Sequence, residues 1–178
     1  MLEGIVRESI GKPQVKALRR DGYLIANIYG KGLENINAAF KMNEYIRTVR
    51  NKENLSFPIK VDGKEMNVVV QAYESHPVTA ELLHVDLMVA QPGVVTHYMV
   101  PVIPQGEAIG LKNKGMVYVA KSRLRVKAAI EDIPAAINVD VTDMDVGDAR
   151  MIRDLDAYEN VKFTDADRVS VLSIIKAK

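Results

Sequence analysis

Almost the whole chain consists of short apolar runs that are separated by turn-forming residues. The clearest of these predicted turns lies at Asp62-Gly63. The runs on either side of it, FPIKV and KEMNVVV, contain several β-branched residues. An Asp-Gly pair between two such runs is a strong signal for a β-hairpin, because a tight hairpin turn needs residues that tolerate a positive φ. The sequence therefore predicts a protein that is mostly β.

Composition limits the classes of protein to which the chain can belong. Of its 178 residues, 48% are hydrophobic and 26% are charged, so a folded core is expected and wholesale disorder is not. The absence of Cys excludes disulfides and thiolate metal sites. No apolar run approaches the roughly 20 residues that span a bilayer, and Met1–Gly4 lacks the layout of a signal peptide. We therefore expect a cytoplasmic protein with no membrane partner.

The segment Gln91–Val95, QPGVV, is the best candidate for a domain boundary, because Pro and Gly together favour a turn. We expect one domain at residues 1–90 and a second at 91–178. In the first, the runs PQVKALRR and MNEYIRTVRN carry apolar residues at helical spacing. Strands are predicted in LEGIVRES, YLIANIYG, NINAAF, the two runs around Asp62-Gly63, and AELLHVDLMVA. About six strands and two short helices favour a small antiparallel β-barrel.

The second domain consists almost entirely of strand-like runs and turn material. The predicted strands are VVTHYMVPVIP, MVYVAK, SRLRVKAAI, AAINVDV, ARMIRDL and RVSVLSIIK, and the predicted turns are QGEAIGLKNKG, EDIP and DMDVGD. This pattern favours a β-sandwich-like domain, with a second barrel as the alternative. Its charge is segregated, since Leu111–Ile130 has six bases and no acid, whereas Glu131–Asp167 has eleven acids and three bases. The acidic segment is not expected to face a polyanion, whereas the basic segment can approach a polyanion or a protein.

Two groups of polar residues could hold a metal ion or take part in catalysis. His84 and Asp86 share one face of a predicted strand, a pairing found in metal sites, catalytic relays and ordinary surface hydrogen bonds. The run containing Asp143, Asp145 and Asp148 has acids but lacks the ligand spacing and the terminal Glu of an EF-hand loop. We therefore expect a solvated turn at the second group, and no metal or catalytic residue in either.

A third candidate site is the basic segment that precedes the strand YLIANIYG. It contains Lys12, Lys16, Arg19 and Arg20 and has no acid before Asp21. Together with Arg7, these bases can reach phosphates from a strand end, a loop and a short helix. The net charge of the chain is only +1, so an argument for a polyanionic partner must be local. From chemistry alone, an RNA site and an ordinary solvated helix face both remain possible.

The order and spacing of several motifs resemble the long form of the bacterial large-subunit ribosomal protein twenty-five, the general stress protein Ctc family. In the N-terminal half the matching pieces are Arg7, GK at 11–12, LRRDG at 18–22, IYG at 28–30, DGKEMNVVVQ at 62–71, HPVT at 76–79 and LHVDLMVA at 83–90. In the C-terminal half they are VPV at 100–102, GEAIGLKNKG at 106–115, IPAAINVDVTDMDVGD at 133–148 and RVSVL at 168–172. The resemblance therefore covers nearly the whole chain.

The resemblance implies a structural constituent of the large ribosomal subunit whose N-terminal barrel binds 5S ribosomal RNA at its irregular loop E. The RNA contacts that it implies are Arg7, Lys12, Lys16, Arg19, Tyr29, Gln71, His84 and Asp86. Its partners would be 5S rRNA and neighbouring large-subunit components, with no cofactor, no small-molecule substrate and no enzymatic activity. The chain departs from the family pattern at Ala17, often basic there, and at Asn27, usually aliphatic. The alternative is a free general stress protein whose C-terminal domain docks a protein partner.

Overall fold

The computed structural model describes residues 1–7, 11–156, 158 and 160–176. Glu8 and Ser9, at the end of the first predicted strand, and Glu159, in the acidic segment, lie outside the described residues. The chain forms two compact units, Met1–Pro92 and Gly93–Lys178, which are described separately below. The division falls inside the QPGVV segment.

The first unit is a closed six-stranded β-barrel with two helices. Its strands are β1 (Leu2–Val6), β2 (Tyr23–Gly30), β3 (Leu33–Lys41), β4 (Phe57–Val61), β5 (Lys64–Ser75) and β6 (Leu82–Val89), and its helices are α1 (Lys12–Arg20) and α2 (Met42–Arg50). The strand order around the barrel is β1-β3-β2-β6-β5-β4. Four neighbouring pairs are antiparallel, whereas β1 pairs with β4 and β2 with β6 in parallel. The mostly β fold with a barrel in the first half, as predicted, is confirmed.

The hairpin between β4 and β5 turns at Asp62-Gly63, where both residues have positive φ values of 52° and 73°. These values are the backbone conformation for which Asp-Gly is favoured in a two-residue hairpin turn. Val61 and Lys64 are paired directly on either side of the turn. The Asp-Gly pair therefore sets the register of this side of the barrel.

The barrel interior is filled by alternate residues of every strand. On β2, for example, Leu24, Ala26 and Ile28 are buried in the core. Helix α2 covers one part of the core with Tyr45, whose ring meets that of Phe57 edge-on at a centroid distance of 6.4 Å. The helical stripe predicted from the spacing of Met42, Tyr45, Ile46 and Val49 packs against this core and is confirmed.

Helix α1 lies on the outside of the barrel and packs on β2. It contains no fully buried residue, and its apolar positions Val15 and Leu18 are half-buried. Pro13 stands in its first turn, where a missing backbone N–H costs nothing. The exposed residues include all four of its bases, so α1 is a basic ridge on the outer barrel surface.

The second unit contains two sheets. Its strands are β7 (Thr96–Gln105), β8 (Gly115–Val119), β9 (Arg123–Ala128), β10 (Ile137–Asp140), β11 (Ala149–Met151), β12 (Lys162–Phe163) and β13 (Ser170–Lys176). The strand orders are β10-β7-β9-β12 and β11-β13-β8. A short helix, α3 (Ile109–Lys112), and 3-10 turns at Ile130–Asp132 and Ile152–Asp154 complete the unit. Two sheets agree with the sandwich-like prediction.

Three details of the second unit differ from the sequence prediction. The run ARMIRDL is a strand only to Met151, because the Asp154 carboxylate then accepts the backbone N–H of Met151 at 2.9 Å and a 3-10 turn begins. Helix α3 occupies part of a segment predicted as a turn. The helix fits there because residue 110 is a glycine. A side chain at this position would clash, since an added Cβ would lie 2.9 Å from the backbone nitrogen of Val146. The two-residue strand β12 was not predicted.

No helix in the described part of the chain is long and apolar enough to cross a membrane. The same residues contain no group of three or more His, Asp or Glu side chains that could hold a metal ion. The aspartates of the DMDVGD segment bind within their own turn and to nearby side chains. Asp145 accepts the Asn113 amide at 2.9 Å, Asp148 accepts the N–H of Asp145 at 2.8 Å, and Asp143 pairs with Arg150 at 2.7 Å. These contacts agree with the solvated turn expected from the sequence.

Replacement of Gly4 by Ala is expected to destabilise the barrel. Gly4 pairs with Phe40, and a Cβ at Gly4 would lie 2.8 Å from Cδ1 of the buried Phe40 ring. Overpacking of this kind costs about 1–3 kcal/mol in the free energy of unfolding, which urea denaturation measures. The matched control is the same substitution in a Phe40→Leu background, where no ring meets the new methyl group and the cost is expected to fall. An unchanged Gly4→Ala penalty in that background would contradict this explanation.

Candidate nucleic-acid interface

The outer face of the barrel is defined by the residues that alternate with the core positions. In one cross-strand row, Ala39 of β3, Ile25 of β2 and His84 of β6 are direct neighbours. Ile25 and Ala39 are only 3% and 0% exposed although they point away from the core, as expected beneath α1, which packs on β2. The helix is therefore anchored over the apolar part of this row, with His84 beside it.

The next cross-strand row is polar and is called the polar row below; it consists of Arg7, Asn37, Asn27 and Asp86. The backbone N–H of Arg7 donates to the carbonyl of Asn37 at 2.8 Å, Asn37 is paired with Asn27, and Asn27 with Asp86. All four are half-buried. Because side chains alternate between the two faces of a strand, these four side chains lie on the outer face. The polar row thus runs across β3, β2 and β6, from the cation that directly follows β1 to a carboxylate.

Two arginines, Arg7 and Arg19, are fixed near one another at the edge of this face. The Arg7 guanidinium donates from Nε to the carbonyl of Ala38 at 3.2 Å, and Arg19 donates to the carbonyl of Leu83 at 2.9 Å. Burial, and secondarily the charge of Arg19, lower the pKa of Arg7 from its ordinary value. Each guanidinium has further N–H donors besides the one that is hydrogen-bonded to the backbone. Together the two side chains can therefore bind an anion.

Asp86 connects His84 with Tyr29. Its carboxylate oxygen lies 3.6 Å from Nδ1 of His84, which is too long for a hydrogen bond but close enough for an electrostatic contact. Burial raises the pKa of the Tyr29 hydroxyl, and the charge of Asp86 raises it further. Tyr29 therefore keeps its proton at neutral pH and presents an O–H donor beside a carboxylate acceptor.

Gln71 occupies a bulge in β5, where the register with β6 shifts between Val70 and Ala72. Ala72 is paired with Asp86, so the bulge brings Gln71 to the end of the polar row. Bulges often redirect a side chain at functional sites. Gln71 thus lies on β5 next to the residue that is paired with Asp86.

Lys12 and Lys16 lie on the exposed surface of α1. In the described part of the chain neither has an ion-pair partner, and no contact joins them to the polar row. Of the eight residues that the resemblance implies as contacts, six thus lie on or beside one barrel face. The positions of the two lysines follow only from their location on α1.

Asn27 and Asn37 also belong to this face, although the sequence does not predict them as site residues. They are paired across β2 and β3, and among the described residues neither side chain forms a hydrogen bond within the protein. Strict alternation with Ala26, Ile28 and Ala38 was the available signal, because a polar residue between core positions must face outwards. What the sequence did not show is that β2 and β3 bring both amides to the same row as Asp86.

The assembled face offers cations, neutral donors and one carboxylate acceptor over a partly exposed surface. Arginine and lysine bind phosphates, whereas amide, imidazole, hydroxyl and carboxylate groups can recognise base edges and 2′-hydroxyls. Such a mixture on a convex barrel surface suits a structured nucleic acid.

Comparison with known proteins identifies the family. Residues 2–87 match the model of the ribosomal L25p family, and residues 95–178 match that of the ribosomal protein TL5 C-terminal domain. The chain is 77% identical to the large ribosomal subunit protein bL25 of Sulfurimonas denitrificans, 62% to that of Nitratiruptor sp. and 61% to that of Campylobacter lari. Each match covers 100% of both chains. The chain therefore belongs to the bL25 family of large-ribosomal-subunit proteins, which is a structural family and not a class of enzymes.

Proposed function

We propose that this protein is a structural component of the large ribosomal subunit and that residues 1–90 bind 5S rRNA at its irregular loop E. Membership of the bL25 family supports the ribosomal role. The observation that carries the RNA interface is the convergence of Arg7, Arg19, Tyr29, His84 and Asp86 on one outer face of the barrel. Irregular RNA exposes base edges in a widened groove, and these side chains can form hydrogen bonds with those edges.

The residues divide into two roles. Arg7, Lys12, Lys16 and Arg19 hold phosphates, which provides affinity and orientation without sequence information. Tyr29, Gln71, His84 and Asp86 contact base edges and 2′-hydroxyls, which provides specificity. Asp86 repels phosphates and so directs the phosphate contacts towards α1 and Arg7. Arg19 donates a hydrogen bond to the backbone carbonyl of Leu83, the residue before His84. This contact holds a phosphate-binding residue beside a residue that contacts base edges.

Sedimentation of a native lysate tests the ribosomal assignment. We expect the protein to migrate with the large subunit at native salt. The alternative, a free stress protein that docks a protein partner through its C-terminal domain, predicts recovery in the soluble fraction. Recovery of nearly all of the protein there would contradict the proposed function.

Replacement of Arg19 by Ala is expected to weaken binding to all RNAs by a similar factor. The phosphate contact is lost, so the slope of log K against log salt should fall by about 0.7–0.9. Arg20→Ala is the matched control, because Arg20 is an exposed base on the same helix and the structure shows no bond from it to the barrel. Its effect on the slope should be smaller. Equal effects of the two substitutions would mean that α1 contributes only diffuse charge.

Replacement of His84 by Ala is expected to cost roughly 1–3 kcal/mol of binding free energy for loop E RNA, as for the loss of a base-edge contact. Regular duplex RNA should bind almost unchanged, and so should the salt slope, because no phosphate contact is lost. Urea denaturation of the free protein serves as the control. A large loss of folding stability would instead identify His84 as a residue of the fold, and equal weakening for every RNA would identify it as a phosphate contact.

Replacement of Asn27 by Val separates binding from folding. Valine has the higher β-propensity, on a scale that spans about 1 kcal/mol, so the barrel should be at least as stable in urea. Loop E RNA should nevertheless bind several-fold more weakly, because an amide that makes no bond within the protein is lost from the polar row. Asn67→Val is the control, since Asn67 is exposed on β5, where its pairing partner is Pro58. Undiminished affinity of the Asn27→Val protein would remove the amides from the interface.

A further inference from the structure

Strand β9 in the second unit places its charged residues on one face. Leu124, Val126 and Ala128 are buried, whereas Arg125 and Lys127, which alternate with them, are exposed. Since alternate side chains point to opposite faces of a sheet, the two cations lie on the outer face of the four-stranded sheet, about 7 Å apart along the strand. The buried apolar residues account for the packing of β9 in the core. Core packing does not require the alternating exposed residues to be basic.

One neighbouring strand, β12, adds a positive charge directly beside Lys127. Lys127 is paired with Lys162 of β12 on one side and with His97 of β7 on the other. Like charges directly opposite one another destabilise a sheet. In the barrel, by contrast, the corresponding outward pair on β4 and β5 combines Lys60 with Glu65. The four-stranded sheet thus contains a directly opposed pair of like charges, whereas the Lys60–Glu65 pair of the barrel combines opposite charges. We call Arg125, Lys127 and Lys162 the basic sheet face.

The abundant acids of this unit do not neutralise the basic sheet face. In the described part of the chain, the carboxylates pair with other cations, as in Lys121–Asp165 at 2.7 Å and Arg150–Asp143 at 2.7 Å. None of the three cations of the face takes part in an ion pair or a side-chain hydrogen bond there. Three cations thus remain available to a ligand.

A contact across β9 adds a fourth group to this face. The Thr164 hydroxyl lies 3.3 Å from Nδ1 of His97, and the backbone N–H of Thr164 donates to the carbonyl of Arg125 at 2.9 Å. Thr164 flanks β9 on the β12 side and His97 flanks it on the β7 side, so this contact spans the strand between the two cations. It fixes the imidazole beside Lys127.

We propose that the basic sheet face binds the phosphate backbone of RNA, as an RNA-binding surface separate from the one on the barrel. The β7 residues that flank Arg125 and Lys127 are Met99 and His97, so the face has no large aromatic side chain at its centre. Protein interfaces are usually depleted in Lys and enriched in aromatic residues at their centre, whereas phosphate-binding surfaces depend on Arg and Lys. The face supplies affinity without base specificity, because it presents point charges on a regular sheet.

The test compares two full-length variants with the same loss of three positive charges. One is Arg125→Gln/Lys127→Gln/Lys162→Gln, and the control is Lys112→Gln/Lys114→Gln/Lys176→Gln, whose exposed lysines lie outside the four-stranded sheet. Both are titrated with a regular RNA duplex that lacks loop E, at several salt concentrations. The slope of log K against log salt should fall by about 2–3 in the first variant and by less than 1 in the control. Because the probe lacks loop E, this result does not depend on the base-edge recognition proposed for the barrel, and the phosphate contacts of the barrel are the same in both variants.

Two further measurements can overturn the proposal. Thermal unfolding at low salt should show the first variant to be as stable as the parent or more stable, because the opposed Lys127 and Lys162 charges are gone. A loss of stability would show that the cations serve the fold. Binding to purified large subunits should weaken together with binding to the duplex. If only subunit binding weakens, the face contacts an acidic protein, and if the two variants have the same slope, it does not contact RNA.

Discussion

Closure of the barrel by the parallel pairing of β1 with β4 is the constraint on which the first unit depends. With Leu2 opposite Ile59 and Gly4 opposite Val61, every strand acquires two neighbours and a defined inner and outer face. A shift of one residue in register would exchange the two faces, placing the apolar residues in solvent and the polar row in the core. The close approach of Gly4 to the Phe40 ring constrains the antiparallel register of β1 with β3, its other neighbour. The outer face, and with it the surface proposed to bind RNA, is therefore a consequence of how the core packs.

The second parallel pair, β2 with β6, determines the chemistry of that face. It sets Asn27 beside Asp86 and Ile25 beside His84, although these residues are far apart in the sequence. The helix α1 then packs over the apolar outer residues and brings Arg19 to the edge of the polar ones. A few strand pairings thus convert separate polar residues into one surface with cations at one edge and hydrogen-bonding groups at the centre.

Much of this architecture could be predicted from local signals in the sequence. The Asp62-Gly63 hairpin, the apolar stripe of α2 and the position of α1 all follow from turn chemistry and helical spacing. The parallel pairings could not be predicted, because they join segments with no local signal between them, and the polar row was missed for the same reason. In the second unit, α3 depends on contacts of Gly110 with the backbone near Val146, and β12 is too short to show a period. The family resemblance implied the site residues individually, whereas the structure shows which of them are neighbours.

Binding of the purified protein to 5S rRNA, with loop E intact and with loop E converted to regular duplex, tests the central claim most directly. If the outer barrel face recognises the irregular groove, the intact RNA should bind at least about tenfold more tightly, since one base-edge contact is worth roughly 1–3 kcal/mol. The two salt slopes should be nearly equal, because the phosphate contacts are shared. Equal affinity for the two RNAs would contradict the account and leave only nonspecific binding of a polyanion.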